Sequence, residues 1–206
     1  MRQHAAEALS GLLWLVAALH CDLSYAGAQQ YEVLSASTRA SLSKAVADKP
    51  APDGLLVGTV EGERWLTEMH KRLEKRAPGR FGRDADDARA FLNTVHYEAT
   101  RAGLDPHLVL AVIDVESKFR KYAVSRAGAR GYMQVMPFWV KEIGQPGNNL
   151  FHLRTNLRYG CIVLRHYLDI EKGNLSRALG RYNGSLGRPE YPDAVSRAWK
   201  TAWQLP

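Results

Sequence analysis

The chain has 206 residues, 46% hydrophobic and 24% charged, which suits one main domain with extensions and supplies apolar material for a sizeable core. Its formal net charge of +7 favours an anionic partner such as nucleic acid, anionic lipid or a cell-wall polymer, without choosing among them. No run of five or six consecutive Lys or Arg occurs, so nothing reads as a nucleic-acid-binding tail.

The first element is an export signal. Leu9 to Leu19 is an apolar stretch preceded by Arg2, and Ala26-Gly27-Ala28 follows as a small-x-small pattern. Together they predict a secretory signal peptide over residues 1–28, cleaved after Ala28, and a periplasmic protein. The stretch is shorter than the roughly 20 residues needed to span a bilayer. A short anchoring helix is the alternative. Cys21 is preceded by His20 rather than a small residue, so a lipoprotein is not expected. Removing residues 1–28 takes away Arg2, Glu7 and Asp22, which raises the net charge to +8. It also leaves Cys161 as the lone cysteine, unable to form an internal disulfide and set among leucines at helical spacing as a core residue.

Residues 29–58 show no sustained period and contain the breaker Lys49-Pro50-Ala51-Pro52-Asp53-Gly54; they read as a partly ordered leader or linker. Residues 59–103 form an N-terminal helical extension. Trp65, Met69 and Leu73 mark a helix over 60–76, closed by Pro78-Gly79. Phe91, Leu92, Val95 and Ala99 stripe a second over 84–102, with Asp84, Asp86 and Asp87 at its start. Asp105-Pro106 is an N-cap followed by Pro at the first helical position, opening a run, Leu108 to Val115, that is apolar except for Asp114 and should be buried on most sides. Gly128 and Gly131 mark a tight loop, with room for a short hairpin near 128–136. Pro137 opens a short helix that Gly144 closes. Asn156 is placed as the cap of a long helix ending before Gly173, Asn174 as the cap of one running through Tyr182 to Gly184, and a last amphipathic helix carries Tyr191, Val195 and Trp199. The chain is therefore mainly α, without internal repeats or low-complexity tracts.

Glu116 is the outstanding candidate for chemistry. Val109, Val112 and Ile113 precede it by seven, four and three residues and share its helical face, so its carboxyl group is partly desolvated, which raises a pKa toward the range of a general acid. By spacing alone, a helix end that points Glu116 into water is the favoured reading. Asp114 is rotated about 200° away and cannot face it. Glu142, Glu171, Glu190 and Asp193 are selected by no motif. The absence of a local pair argues against an ordinary two-carboxylate glycosidase. His107, His152 and His166 lack metal-ligand spacing, no phosphate loop forms, and Gly184-Ser185-Leu186-Gly187 is not a nucleophile elbow.

Five blocks in order over residues 104–204 then resemble the catalytic domain of the soluble lytic transglycosylase family, related to goose-type lysozymes. Glu116-Ser117-Lys118-Phe119 resembles its catalytic Glu-Ser-x-Phe. Ser125 to Pro137 resembles Ser-x-x-Gly-Ala-x-Gly-Leu-Met-Gln-Ile-Met-Pro. Asn156-Leu157-Arg158-Tyr159-Gly160 resembles Asn-Leu-x-x-Gly. Ala178 to Gly184 resembles Ala-Leu-Ala-Ala-Tyr-Asn-Ala-Gly, and Tyr191-Pro192-x-x-Val195 resembles Tyr-Pro-x-x-Val. Tyr132 departs from the usual Leu, and Gly184-Ser185 from Ala-Gly.

The resemblance implies a lysozyme-like helical catalytic domain over 104–206. It implies cleavage of peptidoglycan glycan strands between N-acetylmuramic acid and N-acetylglucosamine without water, with Glu116 acting as acid and then base to leave a 1,6-anhydro end. It gives supporting roles to Ser125 (near Glu116 or the reacting sugar), to Gln134 and Met136 (lining the cleft) and to Tyr182 (hydroxyl near Glu116). Asn183 would bind substrate or cap its helix. Read without the resemblance, Ser125 is a turn serine, Met136 a core residue and Tyr182 structural. Tyr159 and Tyr191 offer either sugar-stacking faces or core packing. No cofactor, metal or nucleic acid is implied. A monomer is expected, with room for a membrane-proximal cell-envelope complex. The alternatives are a goose-type lysozyme hydrolysing the same bond and a non-catalytic wall-binding or secretion-assembly component.

Overall fold

The computed structural model describes residues 29–47, 56, 58–81 and 85–205; the expected signal peptide and the breaker at 49–54 lie outside them. Among the described residues the elements are α1 (Ala36–Ala47), α2 (Val60–Arg76), α3 (Ala85–Arg101), α4 (Pro106–Ser117), α5 (Phe138–Ile143), α6 (Leu153–Ile170), α7 (Leu175–Asn183), α8 (Glu190–Ala198) and a closing π-turn (Trp199–Trp203). The expected hairpin reduces to isolated antiparallel bridges, Val124 with Arg130 and Arg130 with Val135, because the glycine loop turns back too tightly for a ladder.

α4 is the axis of the molecule. Asp105 caps it, accepting from the His107 N–H at 2.8 Å, and Pro106 sets its first turn. Val109 through Ile113 have no exposed surface at all, because α3, α8 and the π-turn pack around them. Each valine, leucine or isoleucine among them contributes about 1.5–3 kcal/mol as an upper estimate. Asp114 breaks this apolar run and is buried. The Arg76 guanidinium reaches its Oδ2 at 2.6 Å, the Trp203 indole N–H donates to the same oxygen at 3.2 Å, and the Lys118 ammonium stands 3.3 Å from Oδ1. A buried carboxylate with three partners ties α2, α4 and the π-turn together.

The helix expected at 60–76 forms as α2 and the one expected at 84–102 as α3, Asp84 lying outside the described residues, with Leu66, Met69 and Leu73 of α2 and Phe91, Leu92, Val95 and Ala99 of α3 in the core. Cys161 lies in the core on α6. α1 has no counterpart in the sequence reading. Only Val46 on it is buried, so periodicity gave no sign of it. Its stability comes from distant side chains. Arg101 donates to the Ala45 carbonyl at 2.6 Å and Arg158 to the Val46 carbonyl at 3.4 Å, filling the acceptors that a helix C-terminus leaves open. Both arginines also pair with the buried Glu98 carboxylate, and Arg39 pairs with Glu142 of α5 at 2.8 Å.

Asn156 is not the cap of α6. The helix begins at Leu153, and Asn156 lies inside it, fully buried. Its Oδ1 accepts from the Met133 N–H at 2.8 Å, and its Nδ2 donates to the Arg130 and Leu150 carbonyls, each at 2.8 Å. The sequence shows a polar residue near a helix start; the fold uses it to pin the 130–133 loop. Two glycines make this close approach feasible. A Cβ on Gly131 would meet Asn156 Nδ2 at 2.3 Å, and one on Gly160 would meet Met133 Sδ at 2.4 Å. Asn156→Ala strands one buried N–H and two carbonyls, so it is expected to lower unfolding free energy by about 2–3 kcal/mol, read from urea denaturation. A loss below about 0.5 kcal/mol would show that the loop is held by other means.

Candidate active site

Glu116 sits in the last turn of α4, where the apolar face of Val109, Val112 and Ile113 ends. It is 3% exposed. Its Oε1 accepts from the Tyr191 hydroxyl at 2.6 Å, and its buried Oε2 has no hydrogen-bond partner. Burial pushes the carboxyl up to about 8; the Tyr191 hydrogen bond favours the carboxylate and offsets part of that rise. At neutral pH the group therefore holds a proton, with one oxygen free of protein partners.

The backbone turns sharply just beyond it. Lys118 closes α4 at φ 51° and Phe119 follows at φ 59°, two consecutive left-handed residues with side chains. Each is a strained position that the surroundings must hold. Phe119 is buried against Phe91 and Trp203, which supplies that hold.

The tyrosine that bonds the acid is not the one the sequence places near it. Tyr191, in the first turn of α8, donates to Glu116; its ring is buried, as is that of Tyr159, whose hydroxyl donates to Asn148 at 2.6 Å. Both rings are core and neither is a stacking face. Tyr182, the residue expected to place its hydroxyl near Glu116, donates to the Met133 carbonyl at 2.7 Å. It stays within electrostatic range: burial first, then the Glu116 charge, raises its pKa well above the ordinary tyrosine value. Burial raises Tyr191 likewise, with the Glu116 charge and hydrogen bond adding to it, so its hydroxyl remains a donor.

The other expected site residues fall into two groups. Gln134, at φ 48°, is buried and donates from Nε2 to the Ala123 and Gly131 carbonyls at 3.1 and 2.9 Å; Met136 beside it is half-buried. Ser125 lies in a turn, where its hydroxyl accepts from the Ala129 N–H at 3.1 Å. Asn183 is the buried last residue of α7, and Gly184, left-handed at φ 77°, closes that helix. Two residues carry roles that sequence reasoning did not assign, Tyr191 at the site and Gln29 outside it. Tyr191 was legible only as a member of the closing block, and Gln29 gave no signal. Gln29 is 4% exposed, and its Oε1 accepts from the Met136 N–H at 3.2 Å and the Trp139 indole at 3.0 Å. Among the described residues no cluster of His, Cys, Asp and Glu could hold a metal ion.

Residues 93–198, from within α3 to the end of α8, match the family described as "Transglycosylase SLT domain". The membrane-bound lytic murein transglycosylases C of Yersinia pestis and Yersinia pseudotuberculosis are 34% identical over 116 residues, covering 48% of this chain and 32% of theirs. The chain thus spans about a third of the length of the curated relatives it matches. Among solved structures, an inactive variant of the lytic transglycosylase Slt of Pseudomonas aeruginosa is similar with a TM-score of 0.45 and 24% identity over 64% of this chain and 25% of that one. The 70-kDa soluble lytic transglycosylase of Escherichia coli gives a TM-score of 0.44 and 18% identity over 79% and 28%. The matched residues make up half of the chain and contain Glu116, and this chain belongs to the transglycosylase SLT domain family.

Proposed function

We propose that the protein is a peptidoglycan lytic transglycosylase in which Glu116 is the single acid and base. The observation that carries this reading is a buried carboxyl, protonated at neutral pH and bonded only through one oxygen, in a domain of this family. Protonated Glu116 gives its proton to the glycosidic oxygen between N-acetylmuramic acid and N-acetylglucosamine, and the C1–O bond breaks. The resulting carboxylate takes the proton of the muramoyl C6 hydroxyl as that oxygen bonds to C1. A 1,6-anhydro ring closes and no water is consumed. Tyr191 is a positioning residue: its hydrogen bond orients the carboxyl and steadies the charge that appears between the two proton transfers. Asp114 takes no part, since its oxygens are engaged by Arg76, Lys118 and Trp203. Gln134, Met136, Tyr182 and Asn183 line the cleft in this reading, and Ser125 borders it.

Residues 1–28 are read as an export signal cleaved after Ala28, which places a monomeric enzyme at the periplasmic wall, with room for a membrane-proximal complex. The word "membrane-bound" in the names of the relatives makes Cys21 the site to check. An N-terminal sequence starting at Gln29 supports the export reading, and a lipid on Cys21 contradicts it.

Muropeptides released by the purified protein are expected to carry anhydromuramoyl ends, lighter by one water than reducing ends. Reducing ends would make it a goose-type lysozyme. Glu116→Gln is expected to lower the rate at least about a hundredfold, the scale of a lost general acid. The same change should stabilise the fold above neutral pH. The folded-state pKa of Glu116 lies above its unfolded value, so wild-type stability is full at low pH and declines as pH rises toward 8, whereas Gln has no proton to lose. The melting advantage of the variant should therefore widen from pH 5 to pH 8; a constant difference would contradict the raised pKa. Tyr191→Phe removes a bond that favours the carboxylate. The alkaline limb of the pH–kcat/KM profile, expected near 8, should move upward while kcat/KM drops about tenfold. An unmoved limb would remove Tyr191 from this role.

A further inference from the structure

We propose that residues 29–32 are an intramolecular strap lying in the cleft, which a glycan strand must displace before it can bind productively. This rests on the functional reading above. The contacts are specific. The Gln29 carboxamide accepts from two donors, the Met136 N–H at 3.2 Å and the Trp139 indole N–H at 3.0 Å, and its Nε2 donates toward the Gln134 carbonyl at 3.4 Å. Tyr31 then packs edge-on against Phe138 at 5.6 Å between centroids, and Glu32 pairs with Arg181 of α7 at 2.7 Å. The segment thus bridges α5 and α7 beside the residues expected to line the cleft.

The chemistry of the seat says what competes for it. Two adjacent donors and one acceptor are the complement of an amide group. Wall sugars carry an acetamido group, a carbonyl and an N–H in the same relation, so a sugar and the Gln29 side chain make the same demand on Met136, Trp139 and Gln134.

The strap is built to leave. Gln29 is its one buried side chain, while Tyr31 is 52% and Val33 83% exposed. An exposed ion pair such as Glu32–Arg181 adds little hold. The other end is fixed: α1 is anchored by Arg101, Arg158 and the Arg39–Glu142 pair. A tethered segment held chiefly by one side chain competes at high effective concentration and is displaced by a ligand that makes more contacts.

The test measures binding of a β-1,4-linked N-acetylglucosamine tetramer to the whole protein in the Glu116→Gln background, with and without Gln29→Ala and Glu32→Ala. The Trp139 indole N–H resonance serves as a local probe. Removing the tip should tighten binding roughly fivefold or more, the worth of about one net hydrogen bond. It should shift the Trp139 signal before glycan is added, and on the Glu116 enzyme it should lower KM without changing kcat. Glu32→Ala should act in the same direction and more weakly. Unchanged or weaker affinity in Gln29→Ala would overturn the strap and make Gln29 part of the substrate wall. The functional reading fails separately, through reducing ends in the product mass, while the affinity comparison still judges the strap.

Discussion

A carboxyl group buried at the dry end of a helix, answered by one hydroxyl, is the constraint on which this structure turns. Burial disfavours the charged form of Glu116, and Tyr191 returns only part of what solvation would have given. Two hydrogen bonds to the carboxylate would favour ionisation and spend the acid; none would leave it unoriented. The rest of the fold can be understood as the means of holding that balance.

The scaffold does so by dividing labour around α4. Residues two apart on this helix point to opposite sides. Asp114, with Arg76, Lys118 and Trp203, fastens the helix to α2 and the π-turn. Glu116, on the other side, meets α8 through Tyr191. One carboxylate is structural because it is fully paired; the other is available for chemistry because it is not. The loop from 130 to 136 is fixed from within: Asn156 satisfies its backbone, Gly160 makes room for Met133, and the Met133 carbonyl holds the Tyr182 hydroxyl. The strained turn at Lys118 and Phe119 is stabilised by the aromatic contacts of Phe119.

How much of this could be read in the sequence depended on whether the cause was local. Asp105-Pro106 and Gly184 are local signals, and α4 and α7 begin and end where they say. The apolar stripe leading to Glu116 is local too, and it pointed to the acid. α1 was missed because its stabilisation comes from Arg101 and Arg158, far along the chain. Asn156 has the composition of a cap, and only the tertiary path of the 130–133 loop shows its use. Tyr182 and Tyr191 both lie in ordered blocks, and no spacing rule tells which hydroxyl reaches a carboxylate presented by a third helix. Gln29 makes its contacts across more than a hundred residues of chain.

The central claim concerns the protonation of one group, so the most direct measurement is a titration of that group. Selective ¹³C labelling of the glutamate side chains, with Glu116 assigned by its absence in Glu116→Gln, gives its carboxyl pKa by NMR. A midpoint near 8 is the predicted result. A midpoint in the ordinary range near 4.5 would mean that Glu116 is ionised at neutral pH, and it would contradict the account of a lone acid that donates first and accepts afterwards.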